Sequence, residues 1–237
     1  MQFNTIVVLT GAGVSAESGI KTFRDHQGLW ENHRLEDVAT PEAFARNPLL
    51  VHQFYNLRRA QLLDPKLKPN AAHLALAQFE QRHKARGGQF LLITQNVDNL
   101  HQRAGSNAVI AMHGQLQQAK CPVTGKSYRW LNDLTENDLC LCCKTQQALR
   151  PDIVWFGEMP YQMDECTDAL LKADLFISVG TSGQVYPAAG FVQIAAQAGA
   201  HTVELNMEAT AGDFAEGYYG PAAKVVPAYL NKLSQLT

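Results

Sequence analysis

The residues of this chain best suited to chemistry are one histidine and several polar runs placed, like it, directly after apolar stretches. His113 precedes Gly114, and Gln95, Asn96, Val97 and Asp98 open the run QNVDNLH. Thr181 and Ser182 follow Gly180, while Asn206, Met207 and Glu208 close a further apolar stretch. A neutral imidazole can take a proton near pH 7, and the amides, hydroxyls and carboxylates suit a ligand rich in sugar hydroxyls. The segment GAGVSAESGI at 11–20 directly follows an apolar, β-branched run at 6–9. Gly11 can take a tight turn out of a strand, Gly13 lacks the Cβ that would block a phosphate, and small Ala16 lets a helix pack close to the sheet. The amide groups opening that helix would face an anion.

Each group also has a purely structural reading. Asn96 and Asp98 can close an Asx-turn, Gly180-Thr181-Ser182 can open a helix, and a lone histidine at a strand end is often satisfied by its neighbours. The acidic ribose ligand that a dehydrogenase carries about twenty residues beyond its glycine loop is not evident. The loop-like segment IKTFRDHQGLW stands there instead.

The elements that must position these groups are strands and helices in alternation. Strand-like runs recur at 90–94, 109–112, 153–156, 175–179 and 202–205, several almost wholly apolar, as strands covered on both faces should be. Helical patterns lie between them: one capped by Asn70 and ending near Gly87-Gly88, then 161–172 and 187–198. The expected fold is α/β, a Rossmann-like doubly wound parallel sheet. Residues 29–69 read as helical and strand-free, with Thr40-Pro41 opening one helix and Pro48 another, and 120–150 as polar, cysteine-bearing and turn-rich. These two excursions make a small inserted domain, leaving 1–28, 70–119 and 151–237 as a large, discontinuous dinucleotide-binding domain. In such sheets ligands sit beyond the carboxyl ends of the strands. All the polar runs fall on that edge, and their coincidence with the glycine loop favours a nucleotide.

A chain of 237 residues, 46% hydrophobic, can enclose one substantial core and a smaller appended unit. Twenty Lys and Arg against 22 Asp and Glu leave a formal charge of -2, so no polyanion-binding field and no nucleic-acid partner are expected. No apolar segment reaches the length of a membrane span, and Met1-Gln2-Phe3-Asn4 lacks the pattern of a secretory signal. A cytoplasmic protein without membrane attachment is expected.

The segments GAGVSAESGI, TFR, TQNVDNLH, MHG, WFGE, GTS and NME, in this order, closely resemble the sirtuins, the NAD-dependent protein lysine deacylases, and in particular their bacterial class III branch. The resemblance spans essentially the whole chain. It implies that an acyl-lysine amide oxygen attacks the nicotinamide ribose of NAD, that nicotinamide leaves, and that the acyl group ends on ADP-ribose. His113 is then the general base, and Asn96 and Asp98, also catalytic, take the nicotinamide and ribose positions. Phe23 and Arg24 match the loop that shields the reacting sugar from water. Gly11, Ala12, Gly13, Ala16, Glu17, Thr22, Trp30, Gln95 and Val97 join the cofactor set, with Gly180, Thr181, Ser182, Asn206, Met207, Glu208 and Ala222 on the adenosine side. Thr22 stands where many members carry Asp.

Around Val154, Phe156, Gly157 and Glu158 the chain resembles the strand that pairs with an extended substrate peptide. Tyr55 and Arg58, three apart on a predicted helix, project from one face. If they line the acyl pocket, the Arg58 fork and the Tyr55 phenol can grip a succinyl or malonyl carboxylate. The class III pattern has this pair, and Ala39 matches the small residue that widens its pocket, so desuccinylation is expected beside deacetylation.

Four of the five cysteines cluster. Cys140 and Cys143 form one C-x-x-C pair, but three residues after Cys121 stands Thr124. Cys121, Cys140 and Cys143 are candidate ligands of a structural zinc, with Cys142 able to supply a fourth thiolate through a C-x-C arrangement; an empty site is the alternative. Cys166 reads as a small buried hydrophobe. Two other functions stay open: an NAD-dependent oxidoreductase, and a non-catalytic NAD-binding interaction module in which His113 is structural.

Overall fold

The computed structural model describes residues 3–21, 29–30 and 33–236. Thr22, Phe23 and Arg24 lie outside them, and of Trp30 only the backbone is described. The chain begins with β1 (Thr5–Thr10), a 3-10 helix (Ala12–Ser18), β2 (Leu29–Trp30), β3 (His33–Arg34), α1 (Leu35–Val38), α2 (Pro41–Arg46), α3 (Pro48–Leu63) and α4 (Ala71–Ala85). It continues through β4 (Gln89–Thr94), α5 (Leu100–Ala104), β5 (Val109–Ala111), β6 (Gly114–Lys120), β7 (Ser127–Arg129) and β8 (Arg150–Ile153). The last elements are α6 (Met163–Leu171), β9 (Leu175–Val179), α7 (Phe191–Gln197), β10 (His201–Asn206), β11 (Glu216–Tyr219) and α8 (Ala222–Leu236).

Six strands form one wholly parallel sheet in the order β11-β10-β9-β1-β4-β5. The Rossmann-like α/β expectation is met. Alternate side chains of β1 enter opposite cores: Ile6 and Val8 join the cluster under α4 and α8, Val7 and Leu9 the one under α6 and α7. That two-sided burial is why the run at 6–9 carries no polar residue. The direction of winding reverses at β1, which lies between β9 and β4, and a crevice opens at their carboxyl ends.

Helix starts follow their caps. The Asn70 side chain accepts the Ala72 N–H at 2.9 Å, Thr40 Oγ1 accepts from Ala43, and Asn47 Oδ1 accepts from Leu50, with Pro41 and Pro48 inside the first turns. A second, antiparallel sheet, β7-β6-β8, lies beside the cysteine segment and packs Ala119, Leu134 and Leu149 around Cys121 and Cys140.

Three expectations are corrected. Residues 29–69 are not strand-free, because β2 and β3 pair as a short antiparallel ladder; two-residue strands carry no periodicity to read. The strand expected over 153–156 ends at Ile153, since the Val154 N–H reaches the His113 carbonyl and the Phe156 N–H the Ala39 carbonyl. The helix after β1 is a 3-10 helix that turns Val14 and Ser15 inward and leaves Ala16 exposed, so Ala16 does not mediate helix-to-sheet packing.

Candidate active site

At the crevice lies a cavity of about 260 Å³. One wall is the glycine loop, Gly11, Ala12 and Gly13, facing Gly180, Thr181 and Ser182 after β9. The two loops interlock: the Gly11 N–H donates to the Val179 carbonyl at 2.9 Å and the Gly13 N–H to the Gly180 carbonyl at 2.8 Å. A Cβ on Gly13 would stand 2.7 Å from the Gly180 backbone, and Gly180 itself holds φ +59. The neighbouring loop therefore leaves no space for a side chain at 13. The N–H groups of Gly11, Gly13 and Val14 are committed to carbonyls.

Beneath the glycine loop sits a buried polar cluster. Ser15 Oγ donates to Asp98 Oδ2 at 2.9 Å and accepts from Asn96 Nδ2 at 3.2 Å. His73 Nδ1 accepts the Asn70 N–H at 3.3 Å, which leaves the proton on Nε2, 3.4 Å from Ser15 Oγ. Asp98 Oδ1 accepts the Leu100 N–H at 2.9 Å. The His73 and His101 rings pack with centroids 4.8 Å apart, and His101 Nε2 meets Thr10 Oγ1 at 3.0 Å. Burial raises the Asp98 pKa, against the bonds from Leu100 and Ser15. Burial also lowers His73 to about 4 and holds His101 well below its ordinary range.

His113, at the end of the β5 segment, donates from Nδ1 to the Gln95 carbonyl at 3.0 Å. A carbonyl can only accept, so Nε2 carries the lone pair. Burial lowers this imidazole's pKa against the opposing effect of that bond, and the ring is neutral at pH 7. Gln95, Asn96, Val97, Asp98 and His113 all line the cavity.

In the loop after β9 the Thr181 carbonyl accepts from Asn206 Nδ2 at 2.8 Å, and its hydroxyl from Gln95 Nε2 at 3.1 Å. Asn206 and Ala222 are buried, Met207 and Glu208 are exposed, and none of the four lines the cavity. Ala16 and Glu17 also lie outside the lining. The Glu17 carboxylate accepts the Ala223 N–H at 2.7 Å, tying the glycine loop to the start of α8.

Ala39, Tyr55, Val154, Phe156, Gly157 and Glu158 also line the cavity. Both Tyr55 and Arg58 are buried, not surface residues, but only Tyr55 is among the lining residues. The Arg58 guanidinium lies 3.3 Å from the centroid of the Phe54 ring and donates to the Phe54 carbonyl. Ser15, Lys21 and Trp155 line the cavity without having been singled out individually. Ser15 and Trp155 were legible only as members of GAGVSAESGI and WFGE.

A model described as the Sir2 family matches residues 11–187. The chain belongs to the Sir2 family. It is 57% identical over 235 residues to the NAD-dependent protein deacylase of Escherichia coli strain K12, covering 98% of this chain and 83% of that one. It is 59% identical over 227 residues to the protein of the same name from Pasteurella multocida, covering 95% and 96%. Among solved structures, a Sir2 homologue in complex with NAD is 38% identical with TM-score 0.86, covering 99% of this chain and 91% of that one. A Sir2 protein bound to acetylated peptide is 30% identical with TM-score 0.80, covering 99% and 95%.

The cysteine module of this Sir2 member is more complete in space than in sequence. The sulfurs of Cys121, Cys140, Cys142 and Cys143 lie within 4.8 Å of one another. Cys142 Sγ lies 2.9 Å from Thr124 Oγ1, so its thiol arrives where the second cysteine of a C-x-x-C pair would have stood. Four thiolates could hold a structural zinc, and a closed set leaves no position for a reactive water.

Proposed function

We propose that this Sir2-family chain is an NAD-dependent protein lysine deacylase, consuming NAD, releasing nicotinamide and leaving the acyl group of an acyl-lysine on ADP-ribose. The observation that carries the reading is one cavity lined both by His113 with the buried Asn96 and Asp98 and by Ala39, Tyr55, Val154 and Phe156. The names of the related deacylases and the solved NAD and acetylated-peptide complexes support it.

His113 acts as general base through Nε2, taking a proton from a ribose hydroxyl, while its Nδ1–H stays on the Gln95 carbonyl. Asn96 and Asp98 bind the nicotinamide and ribose portions. Gly11, Ala12, Gly13, Ala16, Glu17, Gln95 and Val97 join the cofactor set, with Gly180, Thr181, Ser182, Asn206, Met207, Glu208 and Ala222 on the adenosine side. Phe23 and Arg24 shield the reacting sugar, and Thr22 and Trp30 join the cofactor set. Ala39, Val154, Phe156, Gly157 and Glu158 shape the substrate channel. Within it Tyr55, joined by Arg58 once its fork turns from the Phe54 carbonyl, receives a succinyl carboxylate, giving desuccinylation beside deacetylation.

The large domain is 1–28, 70–119 and 151–237, and the small one is 29–69 and 120–150, held by zinc on Cys121, Cys140 and Cys143 with Cys142. The partners are acylated lysines of other proteins, not nucleic acid or membrane, and the location is cytoplasmic. Among the described residues no helix is long and apolar enough to cross a membrane.

The test is incubation with NAD and an acetylated or succinylated peptide. Free nicotinamide appearing only with acylated peptide supports the reading. NADH absorbance would favour an oxidoreductase, and undiminished activity in His113→Tyr would make that histidine structural.

A further inference from the structure

Arg150, Glu158, Trp155 and Tyr55 form a continuous line of contacts from β8 to α3. Arg150 is buried at the start of β8, and its Nη1 and Nη2 donate to the two Glu158 oxygens at 2.6 and 2.8 Å. Nη2 also donates to the Ile153 carbonyl at 2.9 Å. Glu158 Oε2 accepts the Trp155 backbone N–H at 2.9 Å, and the Arg150 guanidinium carbon lies 3.5 Å from the centroid of the Trp155 ring. Trp155 is thus held twice, by its backbone through Glu158 and by its ring face. On the far side its Nε1–H donates to the Tyr55 hydroxyl at 3.0 Å. The phenol oxygen accepts there, so its own proton must turn away from the indole.

We propose that Arg150 is a positioning residue of the acyl channel, fixing Trp155 so that the indole N–H sets the direction of the Tyr55 hydroxyl. The inference rests on the reading of Tyr55 as a donor to the acyl carboxylate. It gives Glu158 an internal task, since both its oxygens are engaged by Arg150 and Trp155. A lysine cannot replace the planar fork that reaches Glu158 twice while lying on the ring.

The experiment compares Arg150→Lys, Arg150→Gln, Trp155→Phe and the Arg150→Gln/Trp155→Phe double variant with the wild type. The Trp155 indole N–H resonance, assigned by its loss in Trp155→Phe, should lose hydrogen-exchange protection about tenfold in Arg150→Gln. The kcat/KM ratio for succinyl over acetyl peptide should fall about fivefold in Arg150→Gln and Trp155→Phe, through KM more than kcat. Arg150→Lys should restore less than half of that loss. The double variant should be no worse than the poorer single one, because both act along one line. Unchanged indole protection, or additive losses, overturns the proposal. If Arg150→Gln does not fold, a succinyl-to-acetyl ratio in Trp155→Phe within twofold of wild type overturns it. If the wild type removes no succinyl group, the carboxylate reading of Tyr55 fails separately. Indole protection in Arg150→Lys and Arg150→Gln then decides the positioning claim alone.

Discussion

Ser15 and Asp98, 83 residues apart in the chain, meet through a 2.9 Å hydrogen bond beneath the glycine loop. The same hydroxyl accepts from Asn96, so one serine orients both polar groups assigned to the cofactor's reacting end. Ser15→Ala removes the shared partner and leaves a buried carboxylate short of a donor. Such a loss costs about 1.5–3 kcal/mol. We expect kcat/KM for NAD to fall roughly ten- to a hundredfold, measured as nicotinamide release in the presence of acetyl peptide.

The pH profile follows from His113. Burial places its pKa below 6.5, and the base form is the neutral one, so activity should hold through pH 7 and fall only below pH 6.5. His113→Tyr should abolish deacylation. In Ser15→Ala, Asp98 loses a bond that lowers its pKa, so its protonation moves upward and the acid limb of the remaining activity should shift to higher pH.

Acid should also loosen the fold. His73 titrates near 4 when folded and near 6.5 when unfolded, so between those values the unfolded chain binds the extra proton. Stability attributable to this residue is complete above about pH 6.5 and is lost as pH falls toward 4, by roughly 3 kcal/mol. Urea unfolding at pH 7 and pH 5 should show the decline, with a shallower slope in His73→Phe.

Arg58→Met should reduce desuccinylation at least about tenfold through the loss of a charge-assisted contact, and should raise the acetyl-to-succinyl activity ratio. Steady-state kinetics with paired peptides checks it. A variant with an unchanged ratio removes Arg58 from acyl selection.

Metal analysis of the purified protein should find one zinc per chain, retained against weak chelators and removed by strong ones. Removal should lower the melting temperature, because Cys121 and Cys140 lie in the small core formed with Ala119, Leu134 and Leu149. Cys142→Ser should weaken zinc retention if that thiol is the fourth ligand. Equal retention would exclude it.

Much of this was legible in sequence because it is encoded over short spans. Two-sided burial writes itself as an apolar run, so β1, β4 and β9 could be located, and Asn70, Thr40-Pro41 and Pro48 mark helix starts by local capping chemistry. Ordered segments such as TQNVDNLH and GTS carried the family and the edge of the sheet on which ligands bind. The sequence could not show that Ala16 faces outward, because nothing local distinguishes a 3-10 from an α-helical turn there. Nor could it show β2 and β3, whose pairing depends on two residues each.

Sequence alone therefore determined the doubly wound class, the family and the chemical identity of the groups at the cleft, since these depend on residue type and spacing along the chain. Tertiary structure alone decided which groups meet. Gly180 crosses Gly13 so closely that no Cβ fits, Cys142 completes a thiol cluster because the chain folds back on Thr124, and Glu158 is paired with Arg150 at the wall of the cavity it lines. The physical reason is range: hydrogen bonds and close packing act over a few ångströms in space, and contacts between segments far apart in the chain leave no period or local motif to read.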